Sequence, residues 1–329
     1  MDARITRKRL GDRLTYDWFK IVAVTLVVFL LWAFLYSLVG PKLLQGDELT
    51  FYVVTNKYSE NEARRFTEKL SASGRLSYGT QSVRYEVIDY GDKTGGTKFN
   101  GALMNQEIDM AVFMDNALFD ENGDYKDDGL TVYVSDFRYY VDGNGVCAFT
   151  DAIAYARAFL TPFFEDLGEG VDSLGEGRIL KERVAAEYFL QNKLDNRFKT
   201  NEEIDQGVEW EKQRLISYCE ETLKLEALLR DHPEYFIYYR RFEQEAEVER
   251  QSYRNDPNHE YIYEAEEEAK PYGISLSHFP NASALCKGSD GTTIDDCVLT
   301  MLNFKDKNGD LFYETIAAIN FFLEEYASK

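Results

Sequence analysis

Histidine, cysteine and proline are scarce in this chain of 329 residues, which contains three, four and six of them. The sequence has no Gly-x-Ser-x-Gly, no His-Glu-x-x-His, no Cys-x-x-Cys and no glycine loop ending in Lys-Ser or Lys-Thr. A serine or cysteine nucleophile would therefore lack a base that the sequence reveals. An acid-pair hydrolase stays open, because the chain has 58 Asp and Glu residues and folding alone brings two carboxylates together. We predict that the protein is not an enzyme and uses no cofactor.

Four cysteines are too few for a disulfide scaffold. Cys286 and Cys297 flank a polar segment that we predict to be a loop between two strands. An oxidising exterior would permit a disulfide between them. The sequence leaves open whether this pair is a disulfide or two thiols, and Cys147 and Cys219 are predicted to be buried thiols.

Basic residues are also fewer than acidic ones. The chain has 37 Lys and Arg residues and 58 Asp and Glu residues, so its net charge is −21. So acidic a chain does not attract nucleic acid or an anionic membrane surface, and we predict no nucleic-acid partner. Disorder is excluded in turn, because aromatic residues make up 15% of the chain and supply ample apolar surface for a core.

One long run lacks charge altogether, from Ile21 to Val39. As a helix it would extend about 28 Å, which matches the hydrocarbon core of a bilayer. A buried core helix would show a polar face, and a cleavable signal has a shorter apolar run followed by small residues. The first twenty residues carry six basic and three acidic side chains, which predicts a cytoplasmic amino terminus. We therefore predict a single-pass cell-membrane protein whose later residues form a large extracytoplasmic domain.

Strands and helices alternate after the apolar run. Strands are predicted from Glu48 to Thr55, Ser82 to Tyr90 and Ile108 to Met114, because these segments are rich in β-branched and aromatic residues. A helix is predicted after Ser59, where Ser59 and Glu62 form a capping-box pattern, and a second helix is predicted between Gly95 and Gln106. This order predicts a mixed α/β fold with a mostly parallel sheet and right-handed crossovers.

Composition becomes strongly helical after a glycine-rich linker at residues 168–177. We predict a pair of long antiparallel helices here, the first opened by the capping box of Thr200 and Glu203 and the second containing Tyr235, Phe236, Tyr239 and Phe242. A strand is predicted at Cys297–Asn303 and a closing helix at Phe312–Tyr326. The predicted divisions are a cytosolic basic tail at 1–20, a transmembrane helix at 21–39, an α/β lobe at 40–167, a helical subdomain at 178–255 and a C-terminal α/β segment at 256–329.

Parallel sheets bind ligands beyond the carboxyl ends of their strands. The polar residues that follow the first and third predicted strands are therefore the candidate ligand-binding residues: Asn56, Tyr58, Ser59, Asp115 and Asn116. Ser59 and its neighbouring N–H groups could hold an anionic or polar ligand at a helix start, or Ser59 could serve only as a cap.

An Asp-x-Asn-Gly-Asp pattern occurs twice, and its alternating oxygens are typical of calcium ligands. Both copies lack the glycine and glutamate that complete a calcium loop, and Asn-Gly is also a favoured turn. The pattern thus predicts turns, with calcium as the alternative, at Asp120, Asn122 and Asp124 and at Asp306, Asn308 and Asp310.

The stretch from Phe51 to Phe113, with Asn105-Gln-Glu-Ile-Asp109 before an apolar strand, resembles the first lobe of bacterial extracytoplasmic solute-binding proteins. The resemblance implies a domain that binds a small polar ligand or docks on a transporter. The chain departs from that family in its uncleaved anchor and in the helical segment that occupies the place of a second lobe. The alternative is an interaction subunit of a membrane complex, which binds a membrane-protein partner and no small molecule.

Overall fold

Three parallel strands and two crossover helices form the first part of a mixed sheet. The computed structural model describes residues 18, 20, 22–32, 48–54, 59–77, 80, 82–88, 93–105, 107–115, 137–143, 145–164, 179, 184–185, 200–285, 297–302 and 312–327. Strand β1 (Glu48–Val54) pairs in parallel with β2 (Ser82–Ile88) and β3 (Met110–Met114). Helix α1 (Glu60–Ala72) connects β1 to β2, and α2 (Lys93–Met104) connects β2 to β3. The predicted alternation is confirmed in this region.

The remaining strands join the sheet antiparallel. They are β4 (Val146–Cys147), β5 (Phe236–Tyr239), β6 (Lys270–Ser275) and β7 (Cys297–Leu302). The strand order is β2-β1-β3-β7-β6-β5, and β4 lies on the same edge of β7 as β6. The predicted mixed α/β class is confirmed, and the parallel arrangement holds for β1 to β3 only.

Helices cover both faces of this sheet. Side chains from α1, α4 (Phe149–Leu160), α5 (Asn201–Asp231) and α7 (Phe312–Tyr326) share one core with β1, β3 and β7. Side chains from α2 and α3 (Phe137–Asp142) form a second core on the opposite face. In β1, Phe51 and Val53 point to the first core, whereas Tyr52 and Val54 point to the second. Burial on both faces explains why the strands are continuously apolar.

Helix α5 is the long helix that the sequence predicted, with 31 residues and a complete capping box at Thr200 and Glu203. The predicted second long helix is wrong, because the chain turns at Pro233 and continues as β5. Phe236-Ile-Tyr-Tyr has strong β propensity, and β6 supplies its partner from more than thirty residues away. Only a short helix, α6 (Glu243–Ser252), follows.

Residues from Gln45 to Lys329 form one compact unit. The segment predicted as a helical subdomain belongs to this unit, since α5 packs on both α4 and α7. Residues 22–32 are helical and belong to a separate unit, Met1–Leu44. In the part of the chain that the structure describes, no helix is long and apolar enough to cross a bilayer. Ile21 and residues 33–39 of the predicted span lie outside the described residues.

Asp109 fixes the junction between the parallel and antiparallel parts of the sheet. Its carboxylate accepts a hydrogen bond of 2.6 Å from the N–H of Thr50 in β1. Its own N–H donates to the carbonyl of Thr50, and its carbonyl accepts from Leu302 N–H in β7 at 2.8 Å. One residue that is only 3% exposed thus connects β1, β3 and β7.

We expect Asp109→Ala to lower the free energy of unfolding by about 1–3 kcal/mol, because it leaves the buried N–H of Thr50 without its acceptor. Asp109→Asn keeps a side-chain oxygen and should cost less. Glu107→Ala, two residues earlier and exposed, is the matched control. Urea unfolding followed by circular dichroism measures all three, and an equal loss for Asp109→Ala and Glu107→Ala would contradict this role for the carboxylate.

Candidate functional site

The topology places a candidate site at the carboxyl ends of β1 and β3. From β1 the chain crosses one face of the sheet through α1, and it returns across the other face through α2. The two strands therefore bracket a topological switch point, where open α/β sheets bind ligands. Cys297 begins β7 opposite Met114 at this same edge, and Ser275 ends β6 opposite Val298.

Ser59 acts here as a helix cap. Its hydroxyl accepts from the N–H of Glu62 at 3.4 Å. The capping-box pattern also predicts that the N–H of Ser59 donates to the side chain of Glu62. That prediction is wrong, because the N–H of Ser59 donates to the carbonyl of Leu285 at 2.8 Å. Glu60 and Glu62 also place negative charge in the first turn of α1. These features disfavour the binding of an anion at this helix start.

Asp115 follows β3, as the sequence predicts, and its carboxylate forms an ion pair with Arg138. Its carboxylate lies 2.8 Å from the guanidinium of Arg138 in α3, and both side chains are 25% exposed. Arg138 also lies over the rings of Phe137 and Tyr239, at 5.8 and 5.9 Å from their centroids. The ion pair therefore connects the end of β3 to α3, and the guanidinium of Arg138 connects α3 to β5.

The other predicted site residues lie outside the described residues. These are Asn56, Tyr58 and Asn116, both sets of calcium candidates, Asp120, Asn122, Asp124, Asp306, Asn308 and Asp310, and Cys286. They stay predictions, and so does the disulfide to Cys297, whose side chain is buried at the start of β7. Within the described part of the chain, no group of three or more His, Cys, Asp or Glu side chains is placed to hold a metal ion.

Two histidines and a tyrosine form a stack at the same edge, which sequence reasoning missed. The rings of His232 and Tyr235 lie 4.7 Å apart, and Tyr235 and His278 are separated by the same distance. Glu234 lies 3.1 Å from the His232 ring, but both side chains are about half exposed. Water screens this pair, and the open surface offers no enclosure for a substrate. The stack joins the start of β5 to the turn after β6.

A buried carboxylate, Asp142, forms a second polar centre at the other end of α3. It accepts from the hydroxyl of Tyr239 at 2.8 Å and from the N–H of Phe242. Phe242 precedes α6 with a φ of 63°, a left-handed conformation that is unfavourable for a bulky residue. The Asp142 contact therefore holds the turn from β5 into α6.

Glu245 in α6 completes this centre. Burial, followed by the hydrogen bond to Asp142 and its negative charge, raises the pKa of Glu245 to about 7. Glu245 therefore binds a proton near neutral pH, well above the range of an ordinary glutamate. Asp142 and Glu245 are about a hundred positions apart, so local sequence patterns give no sign of this pair.

A third cluster buries two carboxyl groups around one guanidinium. Arg214 in α5 lies 2.9 Å from Glu211 and 3.7 Å from Glu314 in α7, and all three side chains are at most 5% exposed. Burial, partly offset by Arg214, raises the pKa of Glu314. Acid-pair hydrolysis needs carboxylates that reach a substrate and water. This sealed cluster therefore joins two helices and does not support hydrolase chemistry.

Comparisons with known proteins add no relative. No family model, no curated protein and no solved structure matches the chain. The resemblance to solute-binding proteins thus stays a prediction.

The raised pKa of Glu245 gives the stability a pH dependence with a definite sign. The pKa of Glu245 is about 7 in the folded protein and about 4.5 without these contacts, so its contribution is complete at acid pH and is lost as the pH rises through 7. We expect Glu245→Gln, which stays neutral, to gain stability relative to the wild type between pH 5 and 8. The gain should be about 1–2 kcal/mol, after allowance for the partial exposure of this group.

Thermal unfolding at several pH values measures this difference. Asp142, whose hydrogen bond and charge act on Glu245, and Tyr239, which donates to Asp142, stay unchanged in the variant. Glu243→Gln, on the exposed side of α6, is the control. If the melting temperatures of Glu245→Gln and the wild type keep a constant separation across this range, the pKa of Glu245 is not raised in the folded protein.

Proposed function

We propose that this chain is a single-pass membrane protein whose extracytoplasmic domain binds another membrane protein as an accessory subunit. It acts through a protein contact and takes no small-molecule ligand. The observation that carries the proposal is the use of Asp115 and Ser59 at the switch point. Asp115 pairs with Arg138, and the N–H of Ser59 donates to Leu285, so these polar groups serve the fold.

The surface of the domain supports the same function. Apolar and aromatic side chains at the end of α6 and in the segment after it are 40% exposed or more, including Tyr253, Tyr261 and Ile262. Exposed apolar patches on folded proteins mark sites of protein contact.

The charge-free run from Ile21 to Val39 supports the membrane location. An anchor restricts a binding domain to partners in or beside the same membrane. The six basic residues before the run fit an amino terminus inside the cell.

We expect Val27→Arg combined with Leu30→Arg to move the full-length protein from the membrane fraction to the soluble fraction after alkaline extraction. Each arginine near the centre of a span costs about 2.5–3.5 kcal/mol. Asp47→Arg, beyond the span, is the control and should stay with the membrane. Protease added to intact cells should digest the domain after residue 44. A protease-resistant domain, or a wild-type protein that alkali extracts, would contradict the location.

A thermal-shift screen of the full-length protein in detergent tests the absence of a small ligand. We expect sugars, amino acids, short peptides and calcium each to change the melting temperature by less than about 1 °C. A ligand at a hundred times its Kd would stabilise the native state by about 2.7 kcal/mol, which corresponds to several degrees. A saturable increase of that size with any compound would favour the solute-receptor alternative.

A further inference from the structure

Five apolar or aromatic side chains between residues 248 and 263 are exposed. They lie on α6 and on the segment that follows it, and they are between 40% and 76% exposed. We call this the tyrosine surface and define it by Val248, Tyr253, Tyr261, Ile262 and Tyr263. Residues 253–263 contain neither helix nor strand, so an interaction other than a backbone ladder must hold them in place.

Glu249 provides that interaction. Its carboxylate accepts from the N–H groups of Ile262 and Tyr263 at 3.0 Å and lies 2.9 Å from Nε2 of His259. Burial acts to raise the pKa of Glu249, but the hydrogen bonds from Tyr263, Ile262 and His259 outweigh it and hold the pKa below its ordinary value. One carboxylate of α6 thus fixes the far end of the segment as an ion.

Ring contacts fix the tyrosines themselves. Tyr253 stacks on His259 with 3.7 Å between centroids and 4° between planes, and Tyr261 meets the same imidazole edge-on at 5.2 Å. Tyr263 lies 5.7 Å from Phe242. The rings are therefore ordered before any partner arrives, which reduces the entropy that binding must overcome.

Strong negative charge surrounds the tyrosine surface. Residues 243–268 contain ten acidic and two basic side chains. Seven of the carboxylates are exposed: Glu243, Glu247, Asp256, Glu260, Glu264, Glu267 and Glu268. This charge repels anionic lipid and nucleic acid, and it opposes contact between two copies of the same face.

We propose that the tyrosine surface docks a segment of a partner membrane protein in which arginine or lysine alternates with apolar side chains. The guanidinium or ammonium groups lie over the tyrosine rings and between the carboxylates, while the apolar side chains cover Ile262 and Val248. Tyrosine is enriched among residues that dominate binding energy, because its ring buries a large area at little entropic cost. This inference rests on the proposed function and names the chemistry of the partner.

Photo-crosslinking in intact cells tests the proposal with the full chain. A benzophenone amino acid replaces Ile262 in one variant and Met104 in a second, since Met104 on α2 is 86% exposed and lies outside the tyrosine surface. We expect the probe at position 262 to capture a single membrane protein through a peptide that contains arginine or lysine. The probe at position 104 should not capture that peptide.

Charge reversal then separates specific docking from general attraction. We expect Glu260→Lys with Glu264→Lys to reduce crosslinking from position 262 at least tenfold, and Tyr261→Ala to reduce it at least fivefold. Glu68→Lys with Glu107→Lys makes the same change in net charge on exposed positions elsewhere and should leave the yield unchanged. Unaltered melting temperatures of the variants establish that each one is folded.

Other crosslinking results would overturn the docking surface, the partner chemistry or the proposed function, and each result points to one of the three. Capture of a membrane protein from position 104 and not from position 262 overturns the docking surface and leaves the proposed function standing. Capture of phospholipid, of a second copy of the chain or of an acidic peptide at position 262 overturns the partner chemistry. The absence of any crosslink at either position, together with a ligand that raises the melting temperature, overturns the proposed function itself.

Discussion

The carboxylate of Asp109 is the constraint on which the two halves of the sheet depend. A parallel strand and an antiparallel strand meet at β3, and Asp109 satisfies the backbone of β1 on one side while its carbonyl serves β7 on the other. Buried backbone groups must find partners, so this residue sets where β3 begins. In the solute-binding resemblance, the same aspartate closed the motif before the apolar strand. Its contacts give that motif a structural reason.

Buried charged side chains also connect the long helix α5 to the closing helix α7. Arg214 lies between Glu211 and Glu314 in the buried interior, where an unpaired ion would be costly. Asn320 of α7 donates to both the carbonyl and the carboxylate of Glu221 in α5. These polar contacts fix the register of the two helices, which apolar packing alone specifies less strictly. The charged composition of α5 therefore belongs to the interior as well as to the surface.

Local patterns predicted the elements whose signals are local. Short apolar runs predicted the strands from β1 to β3, and the cap at Ser59 predicted the helix between the first two. A helical period predicted the helix at Phe312–Tyr326. Each of these signals lies within the element that it predicts. The aromatic run at Phe236 was misread as helix, because its strand partner β6 lies far along the chain. Tertiary pairing overrides the weaker local preference there.

The candidate site shows the same limit more strongly. Sequence reasoning placed Ser59 and Asp115 at the carboxyl ends of β1 and β3, because the order of strands and helices alone predicts that edge of the sheet. It could not find Arg138 as the partner of Asp115, or Asp142 beside Glu245, since these contacts join distant segments. Nor could it recognise Glu249 as different from its acidic neighbours, because burial and not residue type sets that side chain apart.

Glu249 has a consequence for how this protein changes during evolution. The tyrosine surface takes its shape from one carboxylate and two stacked rings, and the sheet takes its stability from other residues. Substitutions among Tyr253, Tyr261 and Ile262 therefore alter what the surface contacts while the interior stays intact. In the docking proposed above, recognition and folding would use separate parts of the chain, which would leave the contact surface free to diverge at the pace of its partner.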